Sequence, residues 1–221
     1  MARLDFDPEL LPVDSLGGEP LVGLEKLNAT FLRQRFSQPP IWTPEITVER
    51  LVREMSGPPI DAAVLIPIVL RENGATLLLT QRTAHLRDHA GQISFPGGRV
   101  DSTDASPLEA ALRETEEEIG LDRKFIEVIG QLPEYRTGTG FRIEPFVALL
   151  QPPFETTAEP FEVAEIFEVP LSFLMDGNHH QRRTAKFPTG ARTFYVMPYE
   201  HHFIWGATAG MLRNLFHFLR A

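Results

Sequence analysis

Nine consecutive residues, Arg113-Glu114-Thr115-Glu116-Glu117-Glu118-Ile119-Gly120-Leu121, constrain this chain more than any other stretch. Glu114, Glu117 and Glu118 stand at helical offsets of i, i+3 and i+4, so a helix puts their side chains on one face. Like charges packed this way repel, and a helix gains nothing from them alone. A divalent cation turns that repulsion into coordination. Oxygen-only ligands suit magnesium or manganese, and magnesium keeps several waters and binds substrate phosphates. Just upstream, Phe95-Pro96-Gly97-Gly98 supplies two glycines where a backbone can approach such a site closely. The pair of features points to metal-assisted chemistry on a phosphate compound. The plain alternative is a turn followed by a solvated acidic face.

The helix that carries the carboxylates has readable ends. Ser106 is an N-cap with Pro107 at the first helical position, and Glu109, three residues on, completes a capping box. Leu108, Ala111, Leu112, Thr115 and Ile119 form an inward face, and Gly120 suits the position after the last turn. Around this helix the chain reads mostly as strands: Ala62 to Leu70, with Pro67 marking a bulge or an edge, then Ala75 to Thr80 after a Glu72-Asn73-Gly74 turn. Further strands are expected over Phe125–Leu132, Ile143–Leu150 and Glu165–Val169, then a short helix at Leu171–Met175. A hairpin-like stretch over Arg192–Ile204 precedes a final amphipathic helix over Ala207–Leu219. The class is α+β or α/β. Residues 1–58 form an extension with helices over Leu24–Phe36 and from Pro44 to about Met55, and Gly57-Pro58-Pro59 marks the boundary with a main domain over 59–221.

The chain has 221 residues, enough for one substantial domain plus an extension. A formal net charge of −9 argues against a nucleic-acid partner. There is no cysteine, which excludes disulfides, thiolate zinc sites and cysteine nucleophiles. No stretch approaches the roughly 18 apolar residues of a membrane span, and the N-terminus lacks the pattern of a signal peptide. A soluble cytoplasmic protein is the default expectation.

The carboxylate segment resembles the Nudix hydrolase box, G-x5-E-x7-R-E-U-x-E-E-x-G-U with U an aliphatic residue. Arg113, Glu114, Glu117, Glu118, Gly120 and Leu121 match in register. Asp104 stands where the box has its first Glu, eight rather than seven residues separate it from Arg113, and Thr115 replaces an aliphatic residue. The stretch from Leu78 to Gly98 is similar to a second pattern, L-L-T-x-R-x4-R-x3-G-x3-F-P-G-G, which marks the coenzyme A pyrophosphatase branch of that family. The branch also carries the longer spacing, and Phe203–Ala209 resembles its C-terminal end. The likeness covers about residues 60–221.

The resemblance implies a Nudix-type α/β/α sandwich with a mixed central sheet, and metal-dependent hydrolysis of coenzyme A to 3′,5′-ADP and 4′-phosphopantetheine. It implies that Glu114, Glu117 and Glu118 hold Mg2+ or Mn2+. Arg113 is expected to hold a carboxylate in position by a bidentate pair. For the general base we expect Glu114, or a later acid among Glu162 and Glu165, with Glu165 preferred. Arg82, Arg87 and His89 are the first choices for substrate contacts, with Gly97, Gly98 and, in the loop Tyr135–Arg142, Arg142. His179–Arg183 reads as a basic lid, and the histidine pairs 179–180 and 201–202 lack zinc spacing. The competing readings are a Nudix hydrolase of ADP-ribose or dinucleotides, and a non-catalytic nucleotide-binding regulator of the same fold. A homodimer built through the extension stays open.

Overall fold

The central strand explains the architecture. The apolar run in the 60s forms β2 (Ile60–Val69), a strand buried on both faces, which is why it reads as continuous rather than alternating. Ala62, Val64, Ile66 and Ile68 face one layer; Ala63 and Leu65 face the other. The computed structural model describes residues 7–45, 58–86, 89–187 and 190–221. Of the helix expected from Pro44 to Met55, residues 46–55 lie outside the described residues, as does the boundary glycine Gly57.

In chain order the elements are β1 (Ser15–Leu16), α1 (Ala29–Ser37), β2, β3 (Thr76–Arg82), β4 (Ile93–Ser94), β5 (Gly97–Arg99), α2 (Pro107–Ile119), β6 (Ile126–Gln131), β7 (Tyr135–Arg136) and β8 (Phe141–Leu150). They continue with β9 (Val163–Pro170), α3 (Leu171–Leu174), β10 (Gln181–Phe187), β11 (Gly190–Tyr199), β12 (His202–Trp205) and α4 (Gly206–Arg220). The main sheet runs β4-β3-β2-β8-β6, with β5 also on β2, β7 on β8 and β9 on β3. β2 and β8 pair in parallel from Ile60↔Phe141 to Val69↔Leu150, and the other pairs are antiparallel. Helix α2 covers one face through Ala110 and Ala111. Helices α1 and α4 share the core on the other face, through Leu32, Leu212, Leu215, Phe216 and Leu219. A smaller sheet, β1-β10-β11-β12, flanks them.

Pro67 is neither at an edge nor at a bulge, contrary to the sequence expectation. It lies in the unbroken β2–β8 ladder opposite Ala148. Leu65 donates its N–H to Pro96 O at 2.9 Å, so by strand alternation Pro67's nitrogen points to the same side. There β5 pairs only with residues 62–64 and β3 only with 68–69, so the missing N–H falls in the gap between two partners and costs no ladder bond.

The N-terminal stretch is less helical than expected. Leu24–Lys26 forms only a tight turn, and the helix starts after Asn28, whose side chain accepts from Phe31 N at 3.0 Å. Residues of this stretch are tied to α4 by Arg213, which is 4% exposed. Its guanidinium donates to Glu19 Oε2 at 2.9 Å, to Glu45 Oε2 at 3.0 Å and to Nδ1 of His180 at 3.0 Å. His180 is fully buried, gives its Nε2 proton to Leu174 O at 2.8 Å and stays neutral, because burial pulls its pKa down to about 4. The expected basic lid is thus structural: Arg183 is also buried and donates to the carbonyls of Pro8, Glu9 and Leu11. It holds down the N-terminal segment that β1 extends.

Burial alone would raise the pKa of Glu45. Hydrogen bonds from His217, Tyr195 and Arg213 outweigh it and bring the value down to about 2. A carboxylate depressed in the folded state stabilises the fold above its unfolded pKa and loses that contribution as pH falls through the folded value. Urea unfolding should therefore show this part of the stability intact above about pH 4.5 and lost toward pH 2. Arg213→Ala, which removes the guanidinium from the partly buried carboxylates of Glu19 and Glu45, should cost about 3 kcal/mol at pH 7 by the same measurement.

Candidate active site

Two local structures meet at the site. Ser106 Oγ accepts from Glu109 N at 3.3 Å and starts α2, while Gly120, with φ +63, ends it by donating its N–H to Glu116 O. The capping box is only half made: Glu109 turns its carboxylate to Arg123 at 2.7 Å instead of back to Ser106. Thr115, the polar residue at an aliphatic position, is fully buried and bonds Ala111 O at 2.6 Å, so its hydroxyl is satisfied inside the helix. On the facing side, Gly97 and Gly98 pair with Val64 and Ala63. A side chain on Gly97 would strike the β2 backbone, and its φ of +146 also requires glycine. A side chain on Gly98 would strike the carboxylate of Glu114. The two glycines let β5 lie flush between strand and helix.

The acids on this surface are held in four ways. Arg113 grips Asp104 bidentately, Nε to Oδ1 at 2.9 Å and Nη2 to Oδ2 at 3.0 Å. Its Nη1 reaches Glu114 Oε1 at 3.0 Å and Glu117 Oε2 at 2.9 Å. Asp104 is held below the usual carboxylate range, first by Arg113 and then by the Asp101 N–H. Glu118, 4% exposed, accepts from Gly97 N at 3.1 Å and lies 3.5 Å from Arg82 Nη1. Burial raises its pKa to about 7, with the Gly97 N–H and Arg82 pulling down and Glu114 and Glu162 pushing up. Burial likewise raises Glu114, Arg113 opposes this, and Glu117 and Glu162 add to it.

The side chains of Glu114, Glu117 and Glu118 leave the same helical face and offer only oxygen donors. Glu118 is buried and Glu114 partly so; desolvation pushes both toward protonation, and neighbouring acids add to it, Glu117 and Glu162 on Glu114, and Glu114 and Glu162 on Glu118. This is the electrostatic situation a hard divalent cation relieves, so the donor set fits such an ion. Glu117, at 60% side-chain exposure, opens the cluster to solvent.

The other expected residues are placed as follows. Arg82 bridges Glu118 and, at 3.8 Å, Glu162. His89 is exposed, with φ +58, and its Nδ1 lies 2.8 Å from Gln92 Oε1. Arg87 lies outside the described residues. Arg142 is bound to Asp61 by two bonds of 2.8 and 2.9 Å, in a half-exposed pair at the start of β2 and β8. Glu165 does not turn toward the cluster: its Oε2 lies 3.2 Å from His202 Nε2 and 3.9 Å from His201 Nε2. Glu162, three residues earlier, is the acid whose charge acts on Glu114 and Glu118. Of the two later acids expected, Glu162 is therefore the one beside Arg82, and Glu165 the one beside His202. Glu162 lies in the turn before β9, whereas Glu165 lies within the strand opposite Gln81, so the two carboxylates leave different parts of the fold.

Sequence reasoning missed three things here. Asp104 is the main partner of Arg113. Arg99 stacks its guanidinium over Phe141 at 5.7 Å, and His89 meets the same ring edge-on at 6.4 Å. Phe161, 63% exposed, packs on His85 at 4.7 Å beside Glu162. An aromatic directly before Glu162, in a stretch with Glu159 and Glu165, was the available signal.

The NUDIX domain model matches residues 59–187. This chain belongs to the Nudix family. The chain is 45% identical to the uncharacterized Nudix hydrolase NudL of Citrobacter koseri over 173 residues, 78% of this chain and 86% of that one. With the NudL of Salmonella newport the identity is 46% over 155 residues, 70% and 80% of the two chains. Among solved structures, a MutT/nudix family protein from Enterococcus faecalis aligns at TM-score 0.44 and 17% identity, covering 86% of this chain and 70% of the other. An Ap4A hydrolase from C. elegans aligns at TM-score 0.44 and 22% identity, covering 50% and 80%. The protein is a Nudix hydrolase with the family's α/β/α sandwich, an enzyme that cleaves diphosphate linkages. Nudix hydrolases generally use divalent metal ions.

Gly98→Ala would push the Glu114 carboxylate out of place. Turnover should fall on the order of 10²-fold, while circular dichroism and the thermal midpoint stay near wild type. Steady-state kinetics beside a melting curve checks this.

Proposed function

We propose that this Nudix hydrolase cleaves the diphosphate bond of coenzyme A or its derivatives, releasing 3′,5′-ADP and 4′-phosphopantetheine or its acyl form. The observation that carries the reading is the tract from Leu78 to Gly98, which matches the coenzyme A branch pattern and runs straight into the carboxylate box with that branch's longer spacing. The fold gives the tract a single place: β3 ends at Arg82 beside Glu118, and β5 begins at Gly97 under Glu114.

Glu114, Glu117 and Glu118 would hold Mg2+ or Mn2+. Such an ion, when bound, neutralises phosphate oxygens and lowers the pKa of a bound water. The protein's own groups do the positioning. Arg113 fixes Glu114 and Glu117 from the helix side, with Asp104 fixing Arg113 in turn. The Gly97 N–H holds Glu118 Oε2. Glu114 and Glu162 are the acids we assign to take a proton from an attacking water, and Arg82 lies 3.8 Å from Glu162. The rings of His85 and Phe161, and of His89 and Phe141, offer aromatic surfaces for a nucleobase.

A substrate panel with product identification tests the reading: coenzyme A, acetyl coenzyme A, ADP-ribose and diadenosine compounds, each with magnesium, manganese or chelator. We expect the highest kcat/KM for a coenzyme A compound and no turnover in chelator. Preference for ADP-ribose or a dinucleotide would overturn the substrate. Tight binding without turnover would point to a regulator. Glu117→Gln should lose about 10²- to 10³-fold in kcat, the scale of one charge-stabilising contact, whereas Glu165→Gln should retain most of it.

A further inference from the structure

Away from the carboxylate helix, a second group of donors has formed without any sequence motif. Glu165 on β9, His201 in the turn between β11 and β12, and His202 at the start of β12 bring their ligand atoms within 4.8 Å of one another. Glu165 Oε2 lies 3.2 Å from His202 Nε2 and 3.9 Å from His201 Nε2. Ligand atoms about 2.0–2.1 Å from a tetrahedral zinc ion are separated by about 3.3 Å. The spacing is therefore close to what one ion would need. The donor set, two imidazoles and one carboxylate, suits zinc rather than magnesium.

The arrangement is rigid where it needs to be. Tyr199 pairs with His202 across a two-residue turn, and Glu200 takes φ +52 to close it. That turn brings the two imidazoles together, ring centroids 3.9 Å apart and planes tilted by 36°. His202 is buried and its ring lies flat on Phe167 at 3.6 Å with an interplanar angle of 2°. Phe167 and Glu165 share β9, so one strand positions both the carboxylate and the wall behind the histidine. His201, with 71% of its side chain exposed, leaves the outer side open to water as a fourth ligand.

We propose that Glu165, His201 and His202 form a second cation site, selective for zinc, distinct from the carboxylate cluster of α2. One feature limits its strength. A cation on Nε2 moves the ring proton of His202 to Nδ1, which is buried and has no partner among the described residues. Imidazole ligands without such support bind on the order of 10- to 100-fold more weakly. The site is accordingly a reversible one, not a permanent structural clamp. It stands independently of the substrate proposed above.

The test is zinc stoichiometry under excess magnesium. The full-length protein is stripped with chelator, dialysed against Zn2+ in excess Mg2+, and compared with His201→Ala and Glu117→Gln. We expect one zinc per chain in the wild type and in Glu117→Gln, and loss of that equivalent in His201→Ala, whose circular dichroism and magnesium-dependent turnover stay unchanged. With Co2+ in place of Zn2+, the wild type should show the intense visible bands of a four-coordinate ion, and His201→Ala should not. No zinc equivalent in the wild type, or one that survives His201→Ala, would overturn the proposal. So would an equivalent lost in Glu117→Gln, which would assign the zinc to the carboxylate helix.

Discussion

Carboxylates crowded against a sheet are the constraint around which this molecule is arranged. Glu118 is buried beside Glu114, and Glu162 faces both. Removing carboxylates from water costs free energy unless cations or hydrogen bonds compensate. The compensation comes from every neighbouring element: Arg113 from the helix itself, the Gly97 N–H from β5, Arg82 from β3. Each of these elements must then be placed to within hydrogen-bonding distance. That is why β5 carries two glycines, why β2 runs beneath it, and why α2 lies directly on β2 and β8. The sandwich is the shape that lets a strand, a loop and a helix reach the same few oxygens.

The opposite layer solves a similar problem with a different device. Arg213 on α4 gathers Glu19, Glu45 and neutral His180, groups drawn from segments far apart in sequence. Arg183 gathers three backbone carbonyls of the N-terminal segment. Both arginines are buried, and both bind residues that lack regular secondary structure to satisfy them. The N-terminal stretch thus belongs to the folded unit through charge and backbone satisfaction as well as through Val22, Leu27 and Leu32 in the shared core. An arginine fork serves this purpose better than a lysine would, since one planar group can reach several acceptors at once.

What could be read in the sequence was what local rules govern. The ends of α2 followed from Ser106, Pro107 and Gly120, whose effects are confined to one turn. The strands followed from apolar runs, and the register of the carboxylates followed from helical geometry. What could not be read depends on long-range placement. Asp104 looked like a departure from the box, yet it is the residue that Arg113 grips most fully, because the longer spacing and the shorter side chain compensate one another. Nothing local separates Glu165 from Glu162; the first lies in β9 beside His202, and the second in the turn before that strand, beside Arg82. The spacing of His201 and His202 carries no ligand pattern, because their third partner, Glu165, comes from a different strand. His180 and Arg183 read as a solvent-facing basic run because nothing local marks a buried arginine.

The charge balance at the carboxylate site bears on its chemistry. A diphosphate is strongly anionic, and the chain itself carries a net −9. Arg113 and Arg82, the cations nearest the buried acids, are already engaged with Asp104, Glu114, Glu117, Glu118 and Glu162. Arg142 is engaged with Asp61. These arginines neutralise the protein's own acids and have little charge left for a substrate. A divalent ion held by the carboxylates, as proposed, would supply positive charge toward a diphosphate, and the arginines fix the acids that would hold it. In this arrangement a single substitution at Asp104 would act on the chemistry from two residues away, by releasing Arg113 and through it both Glu114 and Glu117.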